Sequence, residues 1–495
     1  MRASSPRAER LFILLSLVGM AELVWTTRTG PGVSPDSVQY IYSACTFAEG
    51  RGFLSLYDDA GQGAATHYPP GYPVALAVAA FFTPDGSLTA AGTVLGILLR
   101  GINLFLIMWL LLRYTGRLLL PLIVGFFLIN CLQLLRIHEM IWSEPLFFLL
   151  SLLALWKIVE YCDDGSRRDL AIAIICTALA AITRYIGMVL ICSVTWVVLV
   201  RSSGSFTERF RRAALTGILS ALPLLVWFVR GKLVADSMTN RDLGYHPMTA
   251  DYWNELLVTL GEFFLQVLQL EEQSRIAGLA LGLLAVVLAL RYRKALITAL
   301  RANTFAFALL CCNVGYLLLL IISNTFLDDT PLYYRIICPV LVQLLIAVVL
   351  LVDRWAAQRT WSPRARKRCL LALSVYGALH VFDHVRYVLD KKSPEGYFSS
   401  SWMADPVVAR IKKHPTSALC SNAIDALYVH TGRILPELGS LDTAATGTFV
   451  AVFAEGAFNN GRAFGEDLSA TNPYAPAVRM ELVLESPVSK LYRVR

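Results

Sequence analysis

Charge is scarce in this 495-residue chain. Asp, Glu, Lys and Arg make up 16% of it and hydrophobic residues 56%, more apolar than a water-exposed domain requires. A large solvated surface is thereby excluded. The ten cysteines contain no CxxC pair and fall mostly inside apolar stretches, Cys45 and Cys420 excepted, so they read as small core residues rather than a disulfide framework. No cluster of His, Cys and carboxylates has the spacing of a metal site. Internal repeats and low-complexity segments are missing too. The formal charge of +8 comes from basic residues scattered in short segments, which form no continuous face for nucleic acid. No small-residue cleavage site follows the first apolar segment before Pro31, so that segment reads as a retained signal anchor.

What is present is apolar sequence in lengths near the roughly 20 residues that cross a hydrocarbon core. About eleven spans are expected, at approximately 11–26, 88–112, 118–135, 144–161, 170–183, 186–200, 213–229, 276–290, 304–323, 336–352 and 369–388. The pair broken at Arg184 has short halves, which are either tilted and buried or re-entrant. Six alternate connecting segments hold 21 Lys and Arg, and the longer segments between them, up to Arg335, hold nine. Short basic loops stay in the cytoplasm. The expected orientation therefore has a cytoplasmic N-terminus, an extracytoplasmic C-terminus and a multi-pass position in the inner (plasma) membrane.

Three outer segments are too long to be turns: 27–87, 230–275 and everything after about 389. In the first, periodicity predicts a helix from Ser37 to Glu49, ended by Gly50-Arg-Gly52, and a second from Gly71 to Phe82 lying in the interface. In the second, an interfacial helix is expected over Ala250 to Leu270, placed to cover a site from above. Beyond 388 the apolar runs shorten to strand length at Thr448 to Phe453 and Val478 to Val483. This divides the chain into a membrane region, 1–388, and a small outer α/β domain, 389–495.

Asp36 stands just outside the first span. A carboxylate at a membrane surface can act as a general base, with its pKa set by burial and neighbours; it can equally cap the helix that follows. Arg184 and Arg335 lie at outer membrane edges, where the charge rule for loops does not favour them and anionic lipid phosphate does. Snorkelling, or pairing with Glu144, Asp328 or Asp329, explains them as well. Glu144 can hold an arginine, position an acceptor or complement a helix dipole. Glu139 shares its loop, and Arg230 and Lys232 are further basic candidates. His67 can donate to phosphate or bind a divalent ion with Asp36.

The order of motifs resembles the GT-C superfamily of lipid-dependent glycosyltransferases, of the protein mannosyltransferase and aminoarabinose transferase (family 39) type. The motifs are Asp36-Ser-Val-Gln-Tyr40, Glu49-Gly-Arg-Gly-Phe53, His67-Tyr-Pro-Pro-Gly-Tyr-Pro73, Ser143-Glu-Pro145, Thr183-Arg-Tyr185 and Tyr333-Tyr-Arg335. The resemblance implies a mainly α polytopic GT-C fold. It also implies inverting transfer of a hexosyl or pentosyl group from a polyprenyl-phosphate-linked sugar to a glycan, lipid or protein acceptor on the outer face. Asp36 would be the base, and Arg184, Arg335, Glu144, His67, Tyr68 and Tyr40 would surround the substrate. The chain departs from that pattern at His67-Tyr68, where no Lys is available for phosphate; a cofactor is not implied, and a divalent metal stays open. A transporter or flippase is the competing reading, though Lys157 and Arg100, which lie well inside their spans, have no inverted-repeat mate. A scaffold would not need so many spans.

Overall fold

The computed structural model describes residues 6–58, 61–266, 271–327, 332–357, 362–436, 445–453 and 480–495. Its membrane region runs α1 (Pro6–Thr26), α2 (Pro35–Ala48), α3 (Gly71–Ala80), α4 (Leu88–Thr115), α5 (Leu119–Ile129), α6 (Leu132–Glu139), α7 (Glu144–Asp164), α8 (Arg167–Thr183), α9 (Met188–Arg201), α10 (Phe206–Ala235), α11 (Ala250–Phe264), α12 (Glu271–Arg291), α13 (Arg293–Ala302), α14 (Thr304–Phe326), α15 (Tyr334–Ala357) and α16 (Pro363–Asp390). All eleven expected spans fall on helix. Among the described residues, α4, α7, α10, α12, α14 and α15 are each long and apolar enough to cross a membrane by themselves, and the bent pair α5 and α6 makes a seventh candidate.

The span expected at 118–135 is not one straight helix. α5 and α6 meet at a bend of 60°, because the carbonyls that would continue α5 are taken by other donors. Arg100 of α4, fully buried, donates through Nη2 to Ile129 O at 2.8 Å and Leu128 O at 3.3 Å. The Asn130 amide adds a bond to Phe126 O at 2.8 Å. A helix end buried in apolar surroundings needs such partners. The same Arg100 lies 3.4 Å from Glu22 of α1. Its place in the span is therefore structural.

The helix expected over Ala250 to Leu270 stops at Phe264, and 267–270 lie outside the described residues. Phe264 O accepts from Tyr376 Oη at 2.6 Å and bonds His380 Nε2 at 2.8 Å, which closes the helix. α11 does not cover the site. It packs on α12, and Gln133 of α6 donates to its Thr259 O at 3.1 Å.

After α16 come α17 (Ser400–Met403), α18 (Pro406–Lys413), β1 (Leu419–Ser421), α19 (Ile424–Thr431), β2 (Phe449–Phe453), β3 (Met480–Glu485) and β4 (Ser489–Val494). The strands form one sheet in the order β1-β2-β4-β3, with β1 parallel to β2 and the other pairs antiparallel. β2 matches the strand expected at Thr448 to Phe453, and β3 overlaps the one expected at Val478 to Val483, of which Val478 and Arg479 lie outside the described residues. The sheet layer shares a core with the segment 27–87: Val38 and Ile41 of α2 and Leu76 of α3 join Trp402, Leu427 and Leu491. Tyr42 meets Tyr428 edge to face at 5.3 Å.

Arg100→Met removes the donors at the α5 terminus and leaves Glu22 without its guanidinium. The expected cost is about 3–5 kcal/mol, the range for breaking a buried ion pair from one side, read as a lowered Tm in detergent. Arg117→Ala, whose pair with Asp353 has a half-exposed guanidinium, should leave Tm nearly in place.

Candidate active site

α2 begins at a capping box. Ser34 is the N-cap, its side chain accepting from Ser37 N at 3.3 Å, while Ser37 Oγ accepts from Ser34 N at 3.0 Å; Pro35 occupies the first helical turn. The capping role open to Asp36 is thus taken by Ser34. Asp36 is free to turn across to other helices, and Tyr40 follows one turn later on the same face.

Four ionised side chains from four distant parts of the chain form a line of alternating sign. Asp36 Oδ2 lies 2.6 Å from Arg335 Nη1. Arg335 Nε lies 2.5 Å from Glu144 Oε1, and the same oxygen lies 2.5 Å from Arg184 Nη1. Glu144 has no exposed surface, whereas the Asp36 side chain is 25% exposed. The interior of the line is sealed at Glu144, and both of its ends, Asp36 and Arg184, face a cavity. Arg335 stands in the first turn of α15, where the helix dipole opposes a cation, so both carboxylates are needed to hold it there. The Trp142 ring covers its guanidinium at 4.3 Å.

Neutral groups complete the frame. Tyr68 Oη donates to Asp36 Oδ1 at 2.6 Å, Arg184 Nη1 donates to Ser143 Oγ at 3.0 Å, and Tyr40 Oη lies 3.2 Å from that Ser143 oxygen. Tyr40 meets Tyr68 and Tyr72 edge to face, each at 5.1 Å. Burial works to raise the Asp36 carboxyl; the Arg335 charge and the Tyr68 hydroxyl outweigh it and hold the group below the ordinary carboxylate range. Burial, aided by the Asp36 charge, pushes the Tyr68 and Tyr40 hydroxyls upward, so both stay protonated donors.

Asp36, Tyr40, His67, Tyr68, Arg184 and Arg335 all line one cavity of about 340 Å³, and Glu144 lies beneath the two arginines. The Arg184 Nε is buried without a hydrogen-bond partner among the described residues. Three lining residues carry no advance signal of their role: Tyr316 sits inside an apolar span, Asn324 at its end, and Arg241 in a loop without periodicity. The loop bearing Arg241 is fastened to the end of α14 by Gly244 N→Phe326 O at 3.0 Å and His246 N→Thr325 O at 2.8 Å.

Other candidates belong elsewhere. Glu139 faces Lys391 at 2.9 Å, Arg230 donates to Ala65 O at 2.7 Å and Phe53 O at 3.0 Å, and Lys232 pairs with Asp236. Asp328 and Asp329 lie outside the described residues. Among the described residues no three His, Cys, Asp or Glu gather as metal ligands. His67 packs edge-on against Tyr68 at 4.6 Å, and both Asp36 oxygens are engaged by Arg335 and Tyr68, so the donor set at this point suits an anion better than a cation.

A second cavity, about 770 Å³, runs between α9 and α14. Its walls are apolar, with Trp196, Phe307, Leu310, Val314 and Leu318 among them, and Leu300 of α13 lies at one end. From Phe307 to Ile322 it follows α14 for about 22 Å at 1.5 Å per residue. Met188 and Leu319 line both cavities. An arginine-lined chamber and an apolar groove therefore share part of their walls.

This is the architecture of a polytopic, mainly α membrane protein with a small C-terminal sheet and an ArnT-like fold. ArnT from Cupriavidus metallidurans has the same fold: its apo structure matches at a TM-score of 0.59 and 12% identity over 97% of each chain. The structure of that protein bound to undecaprenyl phosphate matches at 0.55 and 13% over 97% of each. The Saccharomyces (S. cerevisiae) protein O-mannosyltransferase Pmt1–Pmt2 complex bound to the sugar donor matches at 15% identity over 48% of this chain and 35% of that one, with a TM-score of 0.35, a likeness too partial to bear on the site. No family model and no curated protein matches the sequence.

Glu144→Ala leaves two buried guanidinium groups facing each other. The expected loss is about 3–5 kcal/mol, measured as thermal unfolding of the purified protein. Glu144→Gln, which keeps an acceptor oxygen, should cost less.

Proposed function

We propose that this protein is a membrane glycosyltransferase that moves a sugar from a polyprenyl-phosphate donor to an acceptor hydroxyl on the extracytoplasmic face. The observation that carries the reading is the shared wall of the two cavities. A polyprenyl-phosphate sugar is an amphiphile, with a charged sugar-phosphate head and a long apolar tail. The arginine-lined chamber suits the head and the groove between α9 and α14 suits the tail, and they adjoin where one molecule would pass from one to the other. The complex of the like-folded ArnT with undecaprenyl phosphate supports this choice of carrier. The excess of basic residues on the opposite loops supports the assignment of faces.

In the proposed step the acceptor oxygen attacks the anomeric carbon from the side away from phosphate and gives its proton to the Asp36 carboxylate. The bond from the anomeric carbon to the phosphate oxygen breaks, that oxygen keeps the electron pair, and the configuration inverts. Polyprenyl phosphate leaves with one more negative charge. Arg184, Arg335 and Arg241 are the cations of the chamber wall. As Asp36 is neutralised, Arg335 loses one of its two carboxylate partners at the moment the phosphate gains charge, so stabilisation moves with the charge. Tyr40 and Ser143 hold Arg184 in place. Glycan, lipid and protein acceptors all present a suitable hydroxyl.

With the protein in proteoliposomes and a radiolabelled polyprenyl-phosphate sugar, Asp36→Asn should lower transfer by about 10²–10⁴-fold, the usual contribution of a general base; undiminished transfer would remove Asp36 from the role. Because the Asp36 carboxyl is held low, wild-type rate should persist with falling pH until below the ordinary carboxylate value of about 3.9. Tyr68→Phe removes one of the groups holding it down, so the acid limb should move up by about 1–2 pH units, the equivalent of one hydrogen bond to a charged group. Stability follows the same sign: the contribution of a depressed carboxyl is present above its unfolded pKa and lost as pH falls through the folded one. Val314→Trp fills the groove and should slow a long-chain donor while sparing one with a short, water-soluble chain.

A further inference from the structure

The segment that delivers Asp36 is held from both sides before α2 begins. Gly32 N donates to Glu139 O at 2.9 Å and Ile141 N to Gly32 O at 3.0 Å, a parallel bridge to the link between α6 and α7. On its other side Val33 N donates to Glu395 O at 3.2 Å and Tyr397 N to Val33 O at 2.8 Å, a second parallel bridge. Gly32 and Val33 are thus the middle of three extended pieces. Ser34 comes next, with its Oγ accepting from Trp142 Nε1 at 2.7 Å, and then Asp36.

The outer piece, Glu395 to Tyr397, leads into the sheet domain, and what fastens it is the Glu395 side chain. Its two oxygens face Arg136 of α6 at 3.1 Å from Nε and 3.2 Å from Nη2. Lys391 Nζ and Tyr387 Oη each reach Oε1 at 3.2 Å. Lys391 and Tyr387 also bind Glu139, each at 2.9 Å, so the cluster grips both outer strands of the three. Burial opposes the Glu395 charge, and Arg136 and Lys391 overcome it, holding the carboxyl at about 2. It is ionised throughout the physiological range. Further on, Tyr397 Oη donates to Asp425 at 2.5 Å. None of these groups lines the cavity.

We propose that Glu395 is a positioning residue for Asp36: its ion pairs with Arg136 and Lys391 fix the Glu395–Tyr397 main chain, whose two hydrogen bonds to Val33 set where α2 presents the Asp36 carboxylate to Arg335. The outer domain then acts on the site through the backbone, without touching substrate. The kinetic part of this inference rests on the transfer reading; the structural part does not.

The test uses the full-length protein in proteoliposomes, comparing wild type, Glu395→Gln, the conservative Glu395→Asp, and Glu481→Gln as a control in the same domain, where Glu481 pairs at the surface with Arg495. Three quantities are read: amide exchange, the Asp36 titration followed by the carboxyl infrared band that Asp36→Asn removes, and transfer kinetics. Glu395→Gln should speed exchange at Val33 and Tyr397 at least about tenfold and raise the Asp36 midpoint. It should lower kcat by about 10–100-fold, the scale of a misplacement near 1 Å, with donor KM unchanged and partial recovery in Glu395→Asp. Unmoved exchange and an unmoved Asp36 midpoint would overturn the inference, as would faster exchange spread evenly over the whole chain. If wild type transfers nothing, yet exchange at Val33 and the Asp36 midpoint both move in Glu395→Gln, the positioning role stands and the transfer reading falls.

Discussion

Glu144 is a carboxylate with no exposed surface, and one of its oxygens receives two arginines at 2.5 Å each. Taking such a group from water costs several kcal/mol even after relaxation, and only close, well-directed cations return it. The chain therefore has to bring Arg184 and Arg335 to that point together. Arg184 arrives at the break between α8 and α9, and Arg335 at the first turn of α15. Arg335 then reaches past Glu144 to Asp36, which draws the start of α2 onto the bundle. The N-terminal turns of two helices and an interhelical link are tied by one anion.

The same arrangement gives the site its charge character. Asp36 and Glu144 balance Arg184 and Arg335, so the line of four is close to neutral, and Arg241 adds positive charge to the cavity wall. A cavity of this kind tolerates being empty, because its cations have partners, and accepts an anion, because those partners are carboxylates that can be neutralised or displaced. An isolated pair of arginines in the same surroundings would be costly without ligand. The apolar groove needs no such balance: it opens among side chains of α9 and α14 such as Trp196, Val314 and Leu318, which are about half exposed and face lipid in a membrane.

Helices were legible in the sequence because bilayer thickness dictates their length, and Asp36, Tyr40, His67, Tyr68, Arg184 and Arg335 were legible as short motifs near their ends. What links them was legible only in part: pairing of Arg184 and Arg335 with Glu144, which the structure shows, stood in the sequence as one alternative beside lipid phosphate. Glu144 and Arg335 are 191 residues apart, and nothing in either neighbourhood distinguishes a mutual partner from a lipid phosphate. The break between α5 and α6 was hidden for the same reason: the donor that ends α5 is Arg100, from the preceding helix. Phe264 ends α11 through hydroxyl and imidazole groups supplied by α16. Arg241 gave no signal, since a loop without periodicity becomes part of a wall only through its main-chain bonds to α14. Local pattern reports which elements form; termini and sites are decided by polar groups arriving from elsewhere in the chain.

As the proposed base, Asp36 illustrates a tension in a carboxylate held this way. The Arg335 and Tyr68 contacts that keep it ionised also weaken its pull on a proton, since a carboxylate held below its ordinary range is a poorer base. In a static site that would be a defect. In the proposed transfer it is offset by what happens to Arg335: a phosphate entering the cavity competes for the same guanidinium, and each increment of its attraction releases Asp36 from the force that holds its pKa down. Base strength then rises only once the donor head is seated, and the proton acquired by Asp36 completes the release of Arg335 toward the leaving oxygen. Glu144 stays paired to Arg335 through Nε during this exchange, so the guanidinium can shift its Nη1 between partners while the chain around it keeps its position.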